Sequence, residues 1–108
     1  ADAVRRIIET RYGVRLDAEI LGRMMRTTPT RVRTAFSRNF GVTIRGYLGT
    51  VRTARAMDLL AGTSFKVEAI GLLCGFRTKT RLYAAIRKVT GCTPSEYRRQ
   101  QQAAGCLG

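Results

Sequence analysis

The sequence contains no histidine and no tryptophan, only two prolines, and 7 acidic residues in 108. Without histidine there is no Ser-His-Asp triad, no Cys-His nucleophile pair and no histidine metal site. The three cysteines, Cys74, Cys92 and Cys106, are odd in number and show no C-x-x-C spacing. Neither a disulfide framework nor a zinc site is therefore expected, and free thiols in a reducing compartment are the simplest reading. The longest uncharged apolar stretch, Ala69–Phe76, has eight residues, whereas a membrane helix needs about 20. No secretory-signal pattern opens the chain. Its start at Ala1 rather than Met suggests a piece of a longer protein. No catalytic residue, metal or cofactor is expected.

What the sequence has in excess is positive charge. Twenty Lys+Arg stand against the 7 acids for a net charge of +13, while the 44% apolar share is ordinary for a folded domain. Of the basic residues 17 are Arg, the side chain suited to bidentate phosphate and guanine contacts. The charge is also unevenly placed. Residues 1–19 balance four Arg with four acids, so Arg5, Arg6 and Arg15 read as ordinary surface charge. Residues 20–57 hold eight Arg and no acid, and residues 69–95 hold five basic residues and no acid. A merely soluble surface intersperses both signs. Two acid-free windows suggest two surfaces for a polyanion.

Periodicity and capping residues predict an all-α chain of seven helices. Val4, Ile7 and Ile8 keep helical spacing in Asp2–Tyr12, which stops near Gly13. Asp17 is placed to cap a short second helix with Ile20, Leu21 and Met24 inward. Thr28-Pro29 starts a third helix burying Val32, Ala35, Phe36 and Phe40, ended by Gly41. Thr43 caps a long helix to about Ala61, striped by Ile44, Tyr47, Leu48, Val51, Leu59 and Leu60, with Gly62 as the residue after it. Val67–Cys74 is a short helix closed by Gly75. Thr78 caps a helix to Val89 with Leu82, Ala85, Ile86 and Val89 inward. Thr93-Pro94 starts the last, with Glu96 completing a capping box. The Gln-rich end, Gln100–Gly108, reads as a frayed tail.

The chain also resembles itself. At an offset of 50, Thr30-Arg31-Val32 aligns with Thr80-Arg81-Leu82, Phe36 with Ile86, Gly41-Val42-Thr43 with Gly91-Cys92-Thr93, and Tyr47 with Tyr97. Upstream the offset is 49, Leu21-Gly22 aligning with Ile70-Gly71. The turn between the two short helices is thus one residue longer in the second copy. Each copy runs short helix, tight turn, longer helix, then a capped helix start, which is a helix-turn-helix layout. Gly22 and Gly71 fall where the two helices cross and a small side chain is needed. A plain helical bundle with a fortuitous repeat is the alternative. The coincidence of each repeat with one basic window favours the first reading.

The second copy, Ile70-Gly71 … Gly75-Phe76 … Gly91-Cys92-Thr93-Pro94-Ser95-Glu96-Tyr97-Arg98-Arg99, resembles the signature of AraC/XylS-type bacterial transcription regulators. The segment Arg52-Thr53-Ala54-Arg55-Ala56-Met57-Asp58-Leu59-Leu60 resembles the same family's R-x-x-R-A-x-x-L-L helix. The likeness covers about residues 3–99. It departs from the family pattern in Gly22 and Gly71, where alanine is usual, in Leu82 and Ile86 in place of aromatics, and in a looser first copy at Thr28–Val32. The resemblance implies a first helix-turn-helix subdomain over 1–42, a linker helix over 43–62, a second subdomain over 63–99 and a flexible tail over 100–108. It also implies sequence-specific binding to double-stranded promoter or operator DNA in the bacterial cytoplasm and nucleoid. RNA polymerase is a further candidate partner, and any self-association is expected in a domain beyond these residues.

On that reading the longer helix of each copy lies in a major groove. Thr30, Arg33, Thr34 and Ser37 form an outward i, i+3, i+4, i+7 stripe, with Arg31 and Arg38 flanking it for phosphates. In the second copy Thr80, Tyr83, Ala84 and Arg87 face outward, and Lys79 and Arg81 reach base edges from the helix start. Thr30, Arg33, Thr34, Lys79, Thr80, Arg81, Tyr83 and Ala84 are the candidates for reading bases. Arg31, Ser37, Arg38, Arg45, Arg87 and Lys88 are the candidates for phosphates. Arg33 leads for guanine, followed by Lys79 and Arg81. For each arginine a phosphate contact or plain surface charge is the alternative, and Arg45 and Arg52 are either phosphate anchors or packing residues of the linker. Three rivals remain. Nonspecific nucleoid or RNA binding accounts for the charge but not for two asymmetric capped units. Methyl-accepting DNA-repair enzymes share a similar helix-turn-helix but need a reactive, zinc-bound cysteine. A membrane-surface helix is at odds with so many short capped helices.

Overall fold

The computed structural model describes residues 2–107, with side chains described for 2–103. Among the described residues there are seven helices and no strand: α1 (Asp2–Arg11), α2 (Ala18–Met24), α3 (Pro29–Phe40), α4 (Ile44–Gly62), α5 (Val67–Leu73), α6 (Lys79–Thr90) and α7 (Pro94–Leu107). Internal contacts divide the chain into two compact units, residues 1–51 and 52–108, with the boundary inside α4.

Local chemistry fixes most helix starts. The Asp17 carboxylate accepts from the Ile20 amide at 2.8 Å, and the Thr28 and Thr78 hydroxyls accept from the Arg31 and Arg81 amides at 3.2 and 3.1 Å. Each satisfies one of the N–H groups that a helix start leaves unpaired. Thr43 Oγ1 accepts from the Gly46 amide at 3.0 Å. At the equivalent place in the second unit the box is reciprocal: the Glu96 amide donates to Thr93 Oγ1 and the Thr93 amide donates to the Glu96 carboxylate. Gly41 and Gly91, at φ 70 and 76, end α3 and α6 in the left-handed conformation, where glycine carries no Cβ penalty.

In the first unit Val4 and Ile8 of α1, Leu21 of α2, Val32 and Phe36 of α3, and Ile44 and Leu48 of α4 form one core. Phe36 is its centre, fully buried, 4.8 Å from the Phe40 ring and 5.6 Å from the Tyr47 ring between centroids. The Tyr47 hydroxyl donates to the Glu9 carboxylate and so ties α4 to α1. That bond and partial burial raise the Tyr47 pKa above its ordinary value. In the second unit Leu60, Ile70, Cys74, Leu82 and Ile86 are fully or almost fully buried. Arg98 Nε donates to the Leu60 carbonyl at 3.2 Å and its Nη2 to the Phe65 carbonyl, so α7 is fastened to the end of α4 and the loop after it.

Several sequence expectations are corrected. Met24 is 41% exposed, Ala35 is exposed and Val89 is 61% exposed. The core is gripped by i, i+4 rows, Val32–Phe36 and Leu82–Ile86; Ala35 lies about 60° round α3 from Val32, and Val89 stands in the last turn of α6, past the packed row. Met24 sits in the last turn of α2, where the chain turns back toward α3. Gly62 is the last residue of α4 and is not left-handed. Thr63 replaces it as terminator, its amide and hydroxyl both donating to the Leu59 carbonyl. The Gln-rich end lies within α7, which runs to Leu107, and Gln102 Nε2 donates to the Thr63 carbonyl. Cys106 lies outside the residues whose side chains are described.

The two helix crossings differ in tolerance. A Cβ on Gly22 would stand 3.0 Å from the Thr27 carbonyl oxygen and 3.2 Å from the Pro29 nitrogen, both backbone. A Cβ on Gly71 would meet the Leu82 side chain alone, Cδ2 at 3.2 Å and Cβ at 4.0 Å, with no backbone atom beside it. In the turns themselves, Gly75 has φ 88, and Arg26 has φ 56, the only non-glycine left-handed value among the described residues. That conformation costs an ordinary L-residue about 1–2 kcal/mol.

Two outcomes follow for stability. Gly71→Ala gains helix propensity of about 0.5–1 kcal/mol and raises the melting temperature. Gly22→Ala meets fixed backbone and lowers stability by about 1 kcal/mol or more in the same denaturant titration. Separately, its hydrogen bonds from Thr93 hold the Glu96 carboxyl below its ordinary pKa. The depressed carboxyl contributes stability that is complete above the unfolded pKa, about 4.3. That contribution is lost as pH falls through the lower folded value. An acid titration followed by circular dichroism should show this contribution in the parent and not in Glu96→Gln, which keeps a capping acceptor without the titration.

Candidate nucleic-acid interface

Each longer helix divides into a buried row and an exposed row. At 100° per residue, Thr30, Arg33, Thr34 and Ser37 span an arc of about 100° opposite Val32 and Phe36. Thr80, Tyr83, Ala84 and Arg87 span the same arc of α6 opposite Leu82 and Ile86. Thr30, Arg31, Arg33, Thr34, Ser37 and Arg38 are all exposed, as are Lys79, Thr80, Arg81, Ala84, Arg87 and Lys88. Tyr83 is half-buried. Lys79 Nζ lies 5.3 Å from its ring centroid, a cation–π contact that holds lysine and ring together. Lys79, Thr80, Tyr83, Ala84 and Arg87 line a shallow hollow of about 450 Å³ on this face. Arg45 is exposed in the first turn of α4.

The flanks repeat as well. Arg31 and Arg38 are seven apart on one side of the exposed row of α3, and Arg81 and Lys88 occupy the equivalent positions on α6. Arg81 is therefore geometrically the partner of Arg31, not of Arg33, whose own equivalent is Tyr83.

The electrostatics favour an anionic partner. Ion pairs join Arg5 to Asp2 and Glu9 at 3.9 Å, Arg15 to Asp17 at 3.7 Å and Arg55 to Asp58 at 3.9 Å. Arg5 also stacks over the Phe40 ring at 5.3 Å. None of these pairs includes a candidate residue of α3 or α6. Arg52 is half-buried, and burial followed by the nearby Arg77 charge lowers its pKa. Cys74 is fully buried, and desolvation raises its thiol pKa, the opposite of what a nucleophile needs. Cys92 is half-buried and its amide is tied to Thr90 Oγ1 at 3.1 Å.

The turns ahead of α3 and α6 bring in two exposed arginines that lie outside both helical rows, Arg26 and Arg77. The one signal for them in the sequence is the extra residue of the second turn, which is Arg77 itself.

Comparison with known proteins agrees with this architecture. A family model described as a helix-turn-helix domain matches residues 21–100. The chain is 31% identical over 99 residues to the uncharacterized HTH-type transcriptional regulator YijO of Escherichia coli, covering 92% of this chain and 35% of that protein. It spans about a third or less of the length of the curated relatives it matches. Its fold superposes on the DNA-binding domain of AdpA, solved in complex with a target DNA, with a TM-score of 0.90 at 23% identity, over 99% of this chain and 96% of that one. A probable AraC family transcriptional regulator from Rhodopseudomonas palustris gives a TM-score of 0.78 at 26% identity, over 92% and 94% of the two chains. The capped helix pairs, the repeated exposed rows and these matches lead to one conclusion: the chain belongs to the AraC/XylS-type helix-turn-helix family of bacterial transcription regulators.

Proposed function

We propose that this chain is the sequence-specific DNA-binding part of a transcription regulator, placing α3 and α6 in successive major grooves of one duplex. The observation that carries the proposal is the exposed polar row of each helix, held outward by the buried row behind it and free of acidic residues. The complex of the AdpA domain with its target DNA supports the same reading for a chain of this fold.

The two helices are suited to different bases. Arg33 stands midway along the length of the α3 row and presents the fork that matches guanine O6 and N7. Thr30 and Thr34 beside it suit a base edge or a thymine methyl. The equivalent place on α6 holds Tyr83 and Ala84, apolar surface that suits thymine methyls, with Thr80 and the ring-held Lys79 supplying polar contacts. Arg31 and Arg38 on α3, with Arg81 and Lys88 on α6, flank these rows as phosphate ligands. Ser37, Arg45 and Arg87 complete the backbone contacts. These contacts fix register and supply affinity, while the central residues choose sequence. No step here is chemical, so no catalytic role is assigned to any residue.

Selection of a preferred duplex from random DNA tests the proposal directly. The selected site should span about two helical turns, and affinity for it should fall steeply with salt as many phosphates release counterions. Even coating of DNA without a bounded footprint would favour nonspecific nucleoid binding instead. Arg33→Ala should weaken the selected duplex by about 1–3 kcal/mol and relax one base position. Equal losses on selected and random duplexes would move Arg33 to the phosphate contacts.

A further inference from the structure

The two helix-turn-helix turns share one backbone. In the first, the Arg26 amide donates to the Arg23 carbonyl at 3.2 Å and the Thr27 amide to the Gly22 carbonyl at 2.8 Å. In the second, the Gly75 amide donates to the Leu72 carbonyl at 3.2 Å and the Phe76 amide to the Gly71 carbonyl at 2.9 Å. Arg26 and Gly75 are thus the same position, and both are left-handed. Glycine occupies that conformation without strain. Arginine does not, and a strained non-glycine residue at an exposed position points to a function for its side chain.

The second turn supplies the complementary observation. It keeps glycine at the left-handed position and inserts one residue after it, and that residue is Arg77, immediately before the cap Thr78. Each turn therefore presents one exposed arginine just ahead of the capped helix, the first by accepting strain at Arg26 and the second by lengthening the loop. Neither side chain makes a hydrogen bond or an ion pair among the described residues.

We infer that Arg26 and Arg77 are matched phosphate ligands, each seating one backbone phosphate of the duplex at the entrance of the groove that its helix occupies. The inference rests on the DNA-binding reading given above and adds two residues outside the face of either helix. It accounts for why the first turn keeps arginine where its own second copy uses glycine.

The test compares the parent chain with Arg26→Gly, Arg26→Lys and Arg77→Ala, by thermal melting and by affinity across a range of salt. The probes are the duplex recovered by selection with this chain and a random-sequence duplex of equal length. Arg26→Gly should melt a few degrees higher than the parent yet bind both duplexes roughly tenfold more weakly, as expected for loss of a charge-assisted contact. Its log–log salt slope should be smaller in magnitude by about 0.9, one phosphate. Arg26→Lys should keep the slope, and Arg77→Ala should lose the same increment as Arg26→Gly. A more stable Arg26→Gly with unchanged affinity and slope overturns the inference, as does a loss confined to the selected duplex. A variant no more stable than the parent removes the strain on which the argument stands and overturns it too. A parent that prefers no sequence contradicts the proposed function, whereas the slope comparison still decides the turn arginines.

Discussion

Burial of two i, i+4 rows governs everything exposed on this chain. Val32 with Phe36, and Leu82 with Ile86, are almost wholly removed from water. Replacing Phe36 by alanine would cost about 3–5 kcal/mol by the usual accounting for a core aromatic. With those rows fixed, the rotation of α3 and α6 about their axes is fixed. Thr30, Arg33, Thr34 and Ser37 on one helix, and Thr80, Tyr83, Ala84 and Arg87 on the other, then point outward by geometry alone. The threonine caps and left-handed glycines set where each helix begins and ends, and so which residue stands first in the exposed row.

Charge acts on top of that frame. Asp2 and Glu9 pair with Arg5, Asp17 with Arg15 and the Ile20 amide, Asp58 with Arg55, and Glu96 lies in its capping box. No acid lies within residues 20–57 or 69–95, and Arg55 there pairs with Asp58 from just outside the window. The two copies share this electrostatic plan and differ in what lies at the centre of the row. Arg33 is replaced by Tyr83 and Thr34 by Ala84, so one frame carries two chemically different exposed faces. A single chain built this way suits an asymmetric site better than a palindrome.

Helix starts were legible in the sequence because capping is local. Asp17, Thr28, Thr43, Thr78 and Thr93 each act within three residues of their own position. The repeat was legible because both copies keep the same cap, core row and terminating glycine. Side chains at the edge of an apolar arc were not legible: periodicity gives a direction, but only the neighbouring helix decides whether Met24, Ala35 or Val89 is covered. Arg98 read as part of a motif and proved to be a tertiary fastener, since its acceptors are 38 and 33 residues away. The left-handed backbone of Arg26 was hidden because nothing about arginine announces a positive φ. It emerges only when the two turns are superposed in sequence and structure.

The central claim is that both exposed rows meet the duplex together. Backbone amide and side-chain resonances followed by NMR during titration with the selected duplex test it most directly. The account predicts the largest perturbations at Thr30, Arg33 and Thr34 of α3 and at Thr80, Tyr83 and Ala84 of α6 together. Perturbations confined to one of these helices, or centred on the acid-balanced surface of α1, would contradict it.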